Sequence, residues 1–144
     1  MKNKGCLIAF AVAVGILAVL GYGLKVGLTP RDLSKENPRR AFESFVCSPP
    51  PQTVREIRAS GVVAFAGGNA AIEFQIEPRD HDDLIRRGRF RLADDKADQW
   101  IKDFQPDGVP GNIVRYVRIN ERMTQTALFL TEDHRRAWFH EIQF

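Results

Sequence analysis

The densest run of chemistry-bearing side chains is Asp80, His81, Asp82 and Asp83, which crowds three carboxylates and an imidazole into one turn. Such groups ligate zinc and related ions when three or four of them converge on one point. Side chains in the first turn of a helix fan outward instead, and the helix dipole favours acidic residues there. The spacing of Asp80 and Asp83 fits a capping box, so the run is read as a helix start and no metal ligand is assigned. His134, beside Glu132 and Asp133, falls in an expected hairpin turn, and His140 lies between Phe139 and Glu141 on an expected strand; neither has a partner at a diagnostic spacing. Arg86, Arg87, Arg89 and Arg91 would suit phosphate or headgroup oxygens, but Asp82, Asp83, Asp94 and Asp95 balance them as on a solvated face. No glycine-rich phosphate loop, GxSxG elbow, HExxH or CxxC occurs. Catalytic, cofactor-binding and metal residues are therefore none on this reading, and a non-enzymatic role is favoured.

The elements that must position these groups begin with the uncharged run Gly5 to Leu24, bracketed by Lys2, Lys4 and Lys25. At about 1.5 Å rise per residue, roughly twenty helical residues cross the ~30 Å hydrocarbon core of a bilayer. Residues 1–24 are thus expected to be a basic tail and transmembrane anchor, with the bilayer as a partner through residues 5–24. The alternative is secretion after signal cleavage near Gly23, against which stand the length of the run and Lys25 directly after it. The positive-inside count, Lys2 and Lys4 against Lys25, Arg31, Lys35, Arg39 and Arg40, favours a cytoplasmic domain. Anchors with very short basic tails generally export the domain beyond them, and an extracytoplasmic domain is the expectation adopted.

Residues 25–36 read as a polar tether broken by Gly27 and Pro30, and residues 37–144 as one domain. A net charge of +3, 44% hydrophobic and 27% charged residues are ordinary for one small globular unit. The basic residues flanking the anchor suit anionic headgroups, and nucleic acid is not inferred. Cys6 lies in the apolar run and Cys47 in the domain, so no disulfide framework exists. Chains could associate through the anchor or through Cys47, although Phe45, Val46, Ser48 and Pro49 around it equally suit a buried thiol at a helix end.

Asn37 as N-cap, Pro38 at the first helical position, and the stripe Ala41, Phe42, Phe45 and Val46 predict a short amphipathic helix. Ser48-Pro49-Pro50-Pro51 stops it, and Thr53 to Glu56 has capping-box spacing for a further helical turn. Val62 to Ala66, the glycines Gly67 and Gly68, and the alternation Ile72, Phe74, Ile76 predict a hairpin with one buried face. A helix through Leu84 and Ile85 closing at Gly88 should come next, then a brief extended piece at Phe90 and Leu92. Asp94 or Asp95 should cap a helix carrying Ala97, Trp100, Ile101 and Phe104. Strands Ile113 to Ile119, Thr124 to Leu130 and Ala137 to Phe144 complete the chain. The fold class expected is α+β: a transmembrane helix, then an antiparallel sheet of one hairpin plus a three-stranded meander, covered on one face by short helices. The expected core is Phe65, Ile72, Phe74, Ile76, Trp100, Ile101 and Phe104 with Trp138, Ile142 and Phe144 or their alternates.

Pro49-Pro50-Pro51 with Thr53-Val54, the hairpin with Ile72-Glu73-Phe74, and the closing Leu128-Phe129-Leu130 and Trp138-Phe139 strands carry a resemblance. The chain is similar to uncharacterised bacterial membrane-anchored small α+β proteins, which implies placement and architecture but no activity. The function expected is a membrane-anchored, non-catalytic envelope module presenting a sheet or loop surface to a protein partner of the envelope. The alternative is a small enzyme or ligand carrier whose pocket, lined by His140 or by Arg115 and Tyr116, is assembled from residues distant in sequence.

Overall fold

Asn37 accepts the Arg39 and Arg40 amides on its side chain, and Pro38 opens helix α1 (Pro38–Phe45), whose Ala41, Phe42 and Phe45 are buried. This element forms as its spacing predicts. The computed structural model describes residues 29–64, 67–95, 97, 101, 105, 109–110, 112–118 and 124–143, together with residues 12 and 14–16. Phe65, Trp100, Phe104 and Phe144 of the expected core, and most of the run 5–24, lie outside the described residues.

The chain forms a small, mostly-sheet domain built on eight antiparallel strands: β1 (Arg31–Asp32), β2 (Arg55–Ser60), β3 (Val62–Ala64), β4 (Gly67–Gln75), β5 (Phe90–Leu92), β6 (Ile113–Arg118), β7 (Thr124–Thr131) and β8 (Arg136–Gln143). Their order is β1-β3-β4-β8-β7-β6-β5, with β2 also paired to β4. The expected α+β fold, a transmembrane helix followed by a hairpin plus a three-stranded meander, is therefore corrected. The hairpin and the meander are joined through β4 and β8, paired from Gly68↔Gln143 to Gln75↔Arg136, and β1, β2 and β5 enlarge the sheet. Among the described residues no helix is long and apolar enough to cross a membrane. Of the apolar run only Val12, Val14, Gly15 and Ile16 are described, and they are helical and exposed.

Alternation along β7 explains a second difference, that both faces of the sheet are covered. Thr126, Leu128 and Leu130 point to one face, where they join Ile72, Phe74, Ala137 and Phe139 beneath α1 and helix α2 (His81–Gly88). Ala127 and Phe129 point to the other and pack with Val117, Ala97 and Ile101, the last two on helical backbone capped by the Asp94 carboxylate. Ile72, Phe74, Ile76 and Ile101 are buried as expected, whereas Trp138 and Ile142 are half-buried on the second face. Strands buried on both sides read as continuous apolar runs, which is the composition of Ala127 to Leu130.

Three local readings change for identifiable reasons. The segment 25–36 contributes β1 and the fully buried Leu33, whose amide donates to the Gly61 carbonyl. Gly61 adopts φ +109°, where any Cβ would run into the Asn69 carbonyl, and this break lets β2 and β3 follow one edge of β4 in succession. Thr53 caps no helix: its hydroxyl donates to Asp80 Oδ2 at 2.9 Å and accepts from the Glu77 amide at 3.1 Å, so Asp80 braces the strand ends instead of capping α2. At the other end of α2 the left-handed residue is Arg89, not Gly88; Gly88 is needed because the Phe90 ring lies where a Cβ would be.

Candidate functional site

One end of the sheet gathers the polar chemistry. It is made by the start of β2, the end of β4, the Pro78–Asp80 turn leading into α2, and the β7–β8 turn, all brought together by the pairing of Gln75 with both Arg55 and Arg136. The β7–β8 turn is held by its own side chains. Asp133 accepts from the Thr131 hydroxyl and, at 3.1 Å, from the Arg135 amide, which keeps its carboxyl below the usual range, and His134 takes the left-handed φ of +55° between them. The Arg135 carbonyl accepts from the Ile76 amide, stitching this turn to the end of β4.

On the helix-covered side of this end, His81, Tyr116 and His134 meet. His81 Nε2 lies 3.1 Å from the Tyr116 hydroxyl and Nδ1 lies 3.0 Å from Asp82 Oδ1, while the His134 ring packs edge-to-face on His81 at 4.2 Å between centroids. A carboxylate only accepts, so Nδ1 donates to Asp82, and in that tautomer Nε2 accepts from the Tyr116 hydroxyl. The series Asp82, His81, Tyr116 has the order of an acid–base relay, but Asp82 is fully solvent-exposed. Burial, with the Asp82 charge second, pushes the Tyr116 phenol above its ordinary pKa, so its reactive phenolate is disfavoured. The arrangement ties α2 to β6 and to the β7–β8 turn.

Burial, followed by the His81 charge, holds the His134 pKa below its ordinary value, with Asp133 and Asp82 opposing. A histidine depressed in the fold favours its neutral form, so the unfolded chain binds more protons below about pH 6.5 and stability falls as pH drops through that window. His134→Asn, which tolerates the left-handed backbone, is expected to flatten the loss of stability between about pH 7 and 5. Melting curves across that range check this, and a slope unchanged by the substitution would refute it. Asp83 and Asp133, both depressed, contribute stability that is lost only in the more acidic carboxylate range.

On the opposite side of the same turn lies an open groove of about 540 Å³ whose rim carries Arg55, Arg79, Arg135 and Arg136, with Glu77 and Asp133 as its carboxylates. Arg79 Nε is 3.1 Å from Glu77 Oε2, Arg55 Nη1 is 4.0 Å from Glu77 Oε1, and Arg136 Nη2 is 2.8 Å from Glu73 Oε1. The Arg55, Arg79 and Arg136 side chains remain 62%, 72% and 57% exposed. A guanidinium has five donors, so these contacts leave most of each fork directed at solvent.

The remaining candidate residues have other surroundings. Arg86 and Arg87 pair with Asp83 along α2, and Arg91 of β5 pairs with Asp94 just beyond that strand, so these arginines are held in exposed ion pairs. Asp80, His81, Asp82 and Asp83 diverge to Thr53, Tyr116, solvent and the α2 arginines, and among the described residues no three metal-ligating side chains converge. Cys47 is free and buried just after α1, and desolvation pushes its thiol up to about 11, well away from thiolate chemistry at neutral pH. Tyr116 lies on the face toward α1 and α2, whereas Arg115, which donates to Gln105, and His140 lie on the other. The groove arginines carry no signal in the sequence because they come from three separate segments.

No family profile, no curated protein and no solved structure matches the chain.

Proposed function

We propose that this chain is a non-catalytic envelope module, held at a membrane by its apolar N-terminal run, that presents the arginine-rimmed end of its sheet to a protein partner. The observation that carries this is the contrast between two sets of polar side chains. Those suited to catalysis, His81, Tyr116, Cys47 and the α2 acids, are engaged with one another or buried, whereas the groove arginines are exposed with donors free for a visitor. A pocket built from Arg115 and Tyr116 would require side chains from opposite faces of one sheet, which speaks against that form of the ligand-carrier alternative.

A photo-crosslinking amino acid introduced at position 135 in intact cells is expected to trap an adduct of defined mass. The same probe at position 39, an exposed site near the start of α1, should trap none. Equal adducts from both positions, or none from position 135, would overturn the reading.

A further inference from the structure

We propose that the groove takes a carboxylate-rich peptide segment of its protein partner; this rests on the interaction-module reading above and names the chemistry it would recognise. The first ground is charge. Four guanidinium groups face two carboxylates in the groove, and Glu77 is shared between Arg55 and Arg79 while Arg136 draws on Glu73 outside it. The surplus is cationic, and planar guanidinium forks match carboxylate oxygens two at a time.

The second ground is preorganisation. The turn that carries Arg135 is fixed by the Asp133 and Thr131 side chains and by the Ile76 amide, and the Arg136 guanidinium lies 5.5 Å from the centre of the Trp138 ring. A binding surface ordered in advance loses less freedom when a flexible segment docks.

The third ground is position, and it decides between a peptide and a lipid surface. The chain enters the sheet at β1, which pairs with Val62 and Val63 of β3, beside Gly68 of β4. The groove lies at Gln75, seven residue steps along the same strand, ~23 Å away at ~3.3 Å per residue. In a domain held to a membrane through its N-terminal side, the groove therefore lies at the end of β4 remote from the point of attachment. Anionic headgroups of that bilayer are the less favoured occupant.

The test uses the full chain in micelles of an uncharged detergent. A fluorescein-labelled decaglutamate peptide is the probe, a decaglutamine peptide is its control, and vesicles of phosphatidylglycerol with phosphatidylcholine supply a lipid surface. Decaglutamate is expected to bind saturably and with strong salt sensitivity, decaglutamine not to bind, and the double substitution Arg79→Gln with Arg135→Gln to weaken binding about tenfold or more. Arg39→Gln with Arg40→Gln, near the start of α1, removes the same charge and should leave affinity unchanged. The inference is overturned if the two peptides bind alike, if the remote pair costs as much as the groove pair, or if the groove arginines govern vesicle binding instead. A crosslink at position 135 that persists while decaglutamate fails to bind would sink the acidic partner and leave the module reading standing. Loss of that crosslink would remove the module reading itself.

Discussion

Phe42→Ala is expected to be the most destabilising single truncation in the described part of the chain. Phe42 is fully buried and meets Phe74 edge-to-face, with ring centroids 4.9 Å apart and planes at 88°. It is the side chain through which α1 seats on β4. Removing a buried Phe side chain costs about 3–5 kcal/mol in lost burial and cavity formation. A domain of this size holds only about 5–15 kcal/mol in total, so the melting temperature should fall by more than about 10 °C or the chain should fail to fold. Glu43→Ala, which removes only the exposed pair with Arg39, should change stability by less than about 0.5 kcal/mol. Thermal melts of both variants in the full chain decide the matter, and similar small shifts would mean that α1 does not bear on the core. A cycle with Phe74→Leu and Phe42→Leu isolates the ring–ring coupling, expected at about 0.5–1.5 kcal/mol.

Arg118→Ala is expected to have the next largest effect, for a different reason. Its guanidinium donates to three carbonyls: Nε to Gly88 at 2.7 Å, Nη1 to Phe45 at 2.8 Å and Nη2 to Val46 at 2.5 Å. These oxygens belong to the last turns of α1 and α2, where helices leave acceptors without partners. One side chain from β6 thus closes both helix ends while its flat face rests on the Phe90 and Phe139 rings. Desolvation lowers its pKa, with the buried Glu141 opposing, and the group stays charged in any ordinary buffer. Hydrogen bonds to charged groups contribute about 1.5–3 kcal/mol each, and water will replace part of three, so a loss of roughly 3 kcal/mol is expected. Arg118→Lys keeps the charge but not the fork, and should recover only part of that loss. Full recovery by lysine in urea titrations would show that charge alone, and not the triple cap, matters. Arg91→Ala, which breaks only an exposed pair with Asp94, serves as the neutral comparison.

Local chemistry in the sequence was enough for the elements whose signals are contained within a few residues. Asn37 and Pro38 start α1 because a cap and a fixed φ act at the position where they occur. Strict alternation of Ile72 and Phe74 with Glu73 and Gln75 describes β4 because period two is the geometry of a strand. Asp94 caps its helix, and the three closing strands fall within a residue or two of their expected bounds, for the same reason.

What only the tertiary structure decided concerns pairs far apart in the chain. β2, Arg-Glu-Ile-Arg-Ala-Ser, is too polar to announce itself, and it exists because β4 offers it a row of backbone partners. The second covered face was latent in the apolar run of β7, yet a short apolar run is equally consistent with one buried face until a helix is seen on each side. Thr53 and Asp80 each carry a local capping signal, and a hydrogen bond across 27 positions outcompetes both. His81 meets His134 and the groove collects Arg55, Arg79 and Arg135 only because β4 pairs with β2 on one side and β8 on the other. Spacing in a sequence reports neighbours along one element. Sheet pairing creates neighbours between elements, and those contacts, which have no period of their own, assemble both the histidine pair and the arginine groove.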